Sequence, residues 1–357
     1  MSPRRSLWFA FALGLVGCGQ LWKPFLEPTP DTCTGLFDCL QPIICADGSC
    51  TGGQDAGPGD AQPSGMDWVP QTSPTTADLF AVWMASRQVA FAGGAGGVTL
   101  SINADGRGWQ PVVAPPTGTI RSIYGTSLAN IWFMGDLGQG LRRTSTNWIV
   151  TNPCTPTCSN NFLGIWAKDD SSAITVGSSS AVYTHNNQNW SHATTAQLPG
   201  TNYTAVSGLP SGDIYIASDT KSILHRKSDS GIYTQLFGPV MAPRYRRAIW
   251  AVSATEVWLA GDRGEVDIFD GAGTFPRDVP TTLAAGARIN GLTGNSRGDL
   301  WAVGDSGLIL HRLPNGTWQR EPSHVGTNLF AVSVPADSDQ PTIVGGRGTI
   351  LHRLPVP

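Results

Sequence analysis

Seven aromatic residues, Trp68, Trp109, Trp148, Trp190, Tyr233, Phe275 and Trp318, return along the chain at intervals of 41, 39, 42, 43, 42 and 43 residues. A period in the low forties with several short alternating strands is the pattern of a β-propeller. Each repeat is a small sheet that cannot bury its faces alone and closes a ring with its neighbours. Three landmarks divide each repeat. The first is an apolar strand with a small third residue: Leu79-Phe80-Ala81-Val82, Ile120-Arg121-Ser122-Ile123, Phe162-Leu163-Gly164-Ile165, Tyr203-Thr204-Ala205-Val206, Ile249-Trp250-Ala251-Val252, Ile289-Asn290-Gly291-Leu292 and Leu329-Phe330-Ala331-Val332. The second is a strand ending in a small turn residue, at Gly93, Gly135, Gly177, Ser218, Gly261, Gly304 and Gly345, as tight hairpins favour. The third is a further strand, clearest in Ile309-Leu310-His311-Arg312 and Ile350-Leu351-His352-Arg353, leading through a polar turn to the aromatic. Four strands per unit follow, and seven units.

The last unit stops at Pro357 without an outer strand, and the missing piece lies at the other end of the repeat region. Trp68 stands eleven residues before Leu79, as Trp318 stands eleven before Leu329, so the segment around Trp68 is expected to complete the seventh blade. Such closure removes an exposed sheet edge. The fold class is therefore all-β, a seven-bladed propeller over 66–357. Composition agrees: 14% charged residues against about a quarter in an average globular protein, with 43 glycines, describes a turn-dense β protein. A net charge of −3 without a basic stripe argues against a nucleic-acid partner.

Residues 1–17 read as an export signal, with Arg4 and Arg5 ahead of the apolar and small stretch from Leu7 to Gly17, too short to span a bilayer. Seven cysteines are an odd number for an exported protein; setting Cys18 aside leaves six, read as disulfide-forming. Cys33, Cys39, Cys45 and Cys50 lie in a cysteine-rich segment, 18–50, where three pairings are open, and Cys154 and Cys158 form a separate local pair. A zinc site in the first four would lack the short C-x2-C knuckles of zinc ribbons. Residues 51–65 are mostly Gly, Ala, Asp, Pro, Ser and Gln and read as a flexible tether.

Leu15-Val16-Gly17-Cys18 resembles the lipobox of bacterial lipoproteins. The resemblance implies cleavage before Cys18, acylation of that thiol and residence at the cell envelope. Gly19, in place of an inner-membrane retention aspartate, points to the outer membrane. Asn103-Ala104-Asp105-Gly106-Arg107-Gly108-Trp109, Asn315-Gly316-Thr317-Trp318 and Asp270-Gly271-Ala272-Gly273-Thr274-Phe275 look like degenerate Asp-boxes, or BNR repeats. Trp301-Ala302-Val303-Gly304-Asp305-Ser306-Gly307 is similar to repeats in secreted lipoproteins of myxobacteria. In Asp-box families these residues hold hairpins together and do not catalyse, so the likeness carries fold and no activity.

No catalytic constellation stands out. Past the tether the only glutamates are Glu256, Glu265 and Glu321, at unrelated repeat positions, whereas a glycosidase needs two carboxyl groups about 5 to 10 Å apart. The expectation is a non-enzymatic, monomeric binding or scaffolding module for a glycan or protein partner, without a cofactor. The alternatives are an Asp-box-type glycan hydrolase and an assembly factor for an envelope complex. Two groups are candidate ligand contacts: the loop Arg244-Tyr245-Arg246-Arg247, where guanidinium groups flank an aromatic, and the arc Trp83, Tyr124 and Trp166, which ends three consecutive innermost strands. Asp136, Asp219, Asp262 and Asp305 follow the turn residue of four blades and form a weak candidate cation ring, set against the turn-forming habit of aspartate. His225, His311 and His352 share one strand position, as packing residues of a repeat do.

Overall fold

The computed structural model describes residues 65–356 except 116, 146, 155–157, 194–200, 221, 230, 238–244, 279–283 and 285, together with the strands Ile44–Ala46 and Ser49–Thr51. The chain divides into two units, Met1–Pro63 and Ser64–Pro357. In the first, the two short strands pair antiparallel with Cys45 opposite Cys50. Cys18, Cys33 and Cys39 lie outside the described residues.

The second unit is a propeller of seven sheets. Their innermost strands are Leu79–Ser86, Ile120–Ser127, Phe162–Ala167, Tyr203–Gly208, Arg246–Ser253, Ile289–Gly294 and Leu329–Ser333, for blades one to seven. Six blades have four strands. The fifth has three, and where its outer strand was expected near Phe275 the described chain makes only the bridge between Asp267 and Arg277. Closure is as the spacing predicts: Met66–Pro70 pairs antiparallel with Ile350–Pro355, and Trp68 stands opposite Arg353.

The core lies between the blades. Seven apolar clusters fill the seven interfaces; Ala81, Trp83 and Phe91 of blade one meet Ile120, Ile123 and Phe133 of blade two, and Leu79, Ala92 and Leu100 meet Val344 and Ile350 of blade seven. Each sheet is thus buried on both faces, which is why its inner strands are nearly continuous apolar runs.

In five of the seven blades two glycines shape the turn at one end of the ring, for different reasons. Gly135, Gly177, Gly261 and Gly304 end the second strand; a Cβ there would lie within 1.9 to 2.0 Å of the carbonyl oxygens of Thr119, Asn161, Tyr245 and Arg288. Close backbone approach, not turn geometry, demands them. In blade one the residue in this slot is Gly94, opposite Leu79, one place beyond the Gly93 expected. The turn that follows puts Leu137, Arg263, Ser306 and Arg347 in the left-handed region at φ 60, 67, 55 and 56°, each followed by a glycine. The incoming interblade connections bond to these turns, as in Asp136 N to Thr119 O and Gly307 N to Thr327 O, so both belong to one face of the ring.

Candidate functional site at the two mouths of the channel

Every innermost strand carries a register shift between its first and third residues, at Leu79/Ala81, Ile120/Ser122, Phe162/Gly164, Tyr203/Ala205, Arg246/Ala248, Ile289/Gly291 and Leu329/Ala331. A β-bulge frees its residue from the ladder and re-aims the side chain. The seven freed residues are Phe80, Arg121, Leu163, Thr204, Arg247, Asn290 and Phe330, and together with Arg288, Asp305 and Asn328 they line a cavity of about 300 Å³ at the turn face. Their chemistry differs from blade to blade, whereas the residues on either side, Arg246 apart, stay apolar or small.

The turn aspartates stand behind this mouth. Asp136 accepts from Arg121 Nε and Nη2, both at 2.9 Å. Asp262 Oδ1 accepts from Arg247 Nε at 2.9 Å and Arg288 Nε at 3.1 Å. Asp305 accepts from Asn290 Nδ2 at 3.0 Å. Asp219 instead accepts from Asn202, through N at 3.0 Å and Nδ2 at 2.7 Å. Three of the four therefore hold the bulge side chain of their own blade. The Arg121 guanidinium also covers the Phe80 ring at 4.7 Å, and Phe80 meets Phe330 at 5.1 Å between centroids.

The expected basic loop splits three ways. Arg244 lies outside the described residues, and Tyr245 is exposed. Arg246 is 5% exposed and paired with Asp267 at 2.5 Å; only Arg247 reaches the channel mouth. Arg246 stands opposite Gly261, where other blades have Leu, Ile, Phe or Tyr, so the fifth inner strand reads Arg246-Arg247-Ala248-Ile249 and not Ile249-Trp250-Ala251-Val252. A buried ion pair in an apolar slot displaces the apparent period by three residues.

At the opposite mouth, Trp83, Tyr124 and Trp166 come together as the fifth residues of their strands. With the fifth inner strand starting at Arg246, Trp250 is its fifth residue and joins them. They share a cavity of about 520 Å³ whose other lining includes Ser207, Thr293 and Ser333 and no charged side chain. Three indoles are braced on glycines of the following blade: a Cβ at Gly125, Gly208 or Gly294 would come within 2.7, 2.6 or 2.8 Å of Trp83, Trp166 or Trp250. Where serine replaces the indole, its oxygen accepts a backbone N–H of the next blade instead, Ser207 from Ala251 N and Ser333 from Met84 N, both at 3.0 Å. Burial pushes the Tyr124 phenol up, against a hydrogen bond with Trp166. Between the mouths, the fourth residues Val82, Ile123, Val206, Ile249, Leu292 and Val332 border the cavities on both sides and make an aliphatic waist.

The recurrent histidines sit away from both mouths. Tyr215 stacks on His225 at 4.3 Å and Trp301 on His311 at 4.6 Å, while His352 meets Trp109 edge-on at 6.1 Å. His185 holds the same position in blade three, against Trp132 at 4.9 Å, unmarked in sequence by the apolar pair that precedes the others. His311 belongs to a buried network at ring closure. Its ring nitrogens lie 2.8 Å from Glu321 Oε1 and 2.9 Å from Asp299 Oδ1, and Glu321 also accepts from Trp68 Nε1 at 2.6 Å and Arg353 Nη2 at 3.1 Å. Burial alone would push the Glu321 carboxyl up, but the His311 bond, the Arg353 charge and the Trp68 indole outweigh it and hold the group at about 2.

Cys154 and Cys158 are joined, and their segment lies over the blade-two turn, with Gly138 N bonding Asn160 O at 2.7 Å.

No known protein-family profile matches the chain, and no curated protein does. Solved structures resemble it in fold. YCF48 bound to D1 peptide superposes with a TM-score of 0.66 at 16% identity, covering 82% of this chain and 98% of that one. YCF48 from Cyanidioschyzon merolae gives 0.65 at 20%, covering 80% and 98%. The β-propeller domain of Cps50 (Swd1) from Myceliophteria thermophila gives 0.65 at 8%, covering 80% and 99%. At these identities the likeness shows the fold, a seven-bladed β-propeller.

Proposed function

We propose that the protein is a recognition module of the bacterial cell envelope, anchored by lipid on Cys18, that takes an acidic peptide segment of a protein partner in the charged mouth of its channel. The observation that carries this reading is the convergence of Arg121, Arg247 and Arg288 with Phe80 and Phe330 on one cavity. Arg247 and Arg288 both spend Nε on the same Asp262 oxygen, and the Nη atoms of Arg247 have no partner among the described residues. Planar guanidinium forks suit carboxylates, and neighbouring phenyl rings suit apolar side chains. A peptide ligand agrees with the printed description of one structural neighbour, YCF48 bound to D1 peptide. An assembly factor for an envelope complex would use the same mouth.

Hydrolysis is not favoured, because each glutamate beyond the tether is engaged. Glu256 accepts from Trp258 Nε1 at 2.9 Å, Glu265 pairs with Arg277, and Glu321 sits in the closure network.

Pull-down from envelope extract, followed by anisotropy with labelled acidic peptides from the captured partner, tests the site. Arg247→Ala with Arg288→Ala is expected to weaken binding about tenfold or more. Unchanged binding overturns the assignment. Cys18→Ala is expected to leave the membrane fraction, and a variant that still pellets removes the anchor from the proposal. Glycoside turnover abolished by one Asp or Glu substitution would overturn the non-enzymatic part.

A further inference from the structure

The mouth opposite the arginines has its own chemistry, and we propose that it is a second, independent site that takes an uncharged sugar ring. Its cavity of about 520 Å³ falls in the range of small-ligand sites. Its wall holds three indoles and a phenol, and no Asp, Glu, Lys, Arg or His lines it. An anionic ligand would find no cation there, and a cationic one no carboxylate. A wholly apolar ligand would leave the hydroxyls of Ser207, Thr293 and Ser333 without use, and burying polar groups unpaired costs free energy.

A pyranose fits this combination because it has apolar C–H faces for aromatic surfaces and a rim of hydroxyls that both donate and accept. The serine oxygens are fixed by the Ala251 and Met84 N–H groups, so each hydroxyl keeps its hydrogen to donate. The indoles are equally prepared. Trp83, Trp166 and Trp250 cannot sink further, because the glycine backbone of the next blade already touches them. Side chains ordered before binding lower its entropic cost. Trp83 and Trp166 are largely buried and serve as walls, whereas Trp250 is the more accessible surface. The aliphatic waist separates this site from the charged mouth, so the two are expected to bind without competing.

Calorimetric titration and saturation-transfer NMR on the full chain test the site, with cellobiose, maltose, lactose and diacetylchitobiose as neutral probes and digalacturonate as the charged control. Saturable binding of at least one neutral disaccharide is expected, with digalacturonate binding at least about tenfold more weakly. Trp250→Ala is expected to weaken it about tenfold, and Trp250→Phe, which retains an aromatic surface, by a smaller factor. Arg247→Ala is expected to leave it unchanged, which separates this site from the peptide site. Circular dichroism checks that each variant is folded; if Trp250→Ala is not, the Phe variant and Thr293→Val must each weaken binding measurably. Four neutral sugars without saturable binding, equal affinity for digalacturonate, folded Trp250 variants that bind like the parent, or loss of sugar binding in Arg247→Ala would each overturn the proposal.

Discussion

His311 and His352 occupy the same strand position in adjacent blades and live in opposite surroundings. His311 has a carboxylate oxygen at each ring nitrogen and an indole stacked on its face. His352 is equally buried, but Nε2 has no partner among the described residues, and burial, helped by the Arg87 charge, pushes the ring down to about 4. The difference comes from two neighbours. Asp299 immediately precedes the second strand of blade six where blade seven has Gln340, and Glu321 ends the outer strand where the closing strand is followed by Gln71. A repeat position thus prescribes burial and direction, while the ionic state of what fills it is decided by residues on other strands.

The largest effect should come from breaking the blade-six network. Glu321→Ala leaves His311 and Arg353 buried against a lost carboxylate, and is expected to cost about 3–5 kcal/mol in urea unfolding. Acid should sharpen the contrast in two steps. The folded state resists protonating His352, so stability present above its usual 6.5 is lost as pH falls toward about 4. Glu321 is depressed from 4.5 to about 2, so its contribution is lost across that lower window. Each step is worth at most about 3 kcal/mol, and unfolding curves recorded from pH 7 to 2.5 should show both. Trp68→Phe removes the indole donor to Glu321 while keeping most of the packing, for an expected loss of about 1–2 kcal/mol at pH 7. The smallest change is His352→Leu: within about 1 kcal/mol of the parent at pH 7, with the upper acid step gone. Persistence of that step in the variant would assign it elsewhere.

The ring, its blade count and its closure were legible because they rest on spacing: an aromatic every forty-odd residues and a Trp68 segment offset like the Trp318 segment. The mouths were legible only in part. Trp83, Tyr124 and Trp166 were visible as strand-ending aromatics. Trp250 was not, since Arg246 fills an apolar slot and both Ala248 and Ala251 satisfy the small-residue rule. The charged mouth depends on a bulge that leaves no residue signature of its own. Its one trace is that the second residue of each inner strand varies freely, Phe, Arg, Leu, Thr, Arg, Asn, Phe, between positions that, Arg246 apart, stay apolar or small. The turn aspartates carry no mark of what they hold, because their arginine partners lie fifteen residues earlier, at Arg121 for Asp136 and Arg247 for Asp262.

The bracing of indole on glycine skips every other blade: Trp83, Trp166 and Trp250 belong to blades one, three and five, and Gly125, Gly208 and Gly294 to two, four and six. A rhythm of two cannot close on an odd ring. The mismatch falls where the seventh blade meets the first, and there Ser333 and Met84 substitute a hydrogen bond for the aromatic contact. The rim of that opening is therefore uneven: aromatic on blades one, two, three and five, and hydroxylic on blades four, six and seven, so that no rotation about the channel axis maps it onto itself.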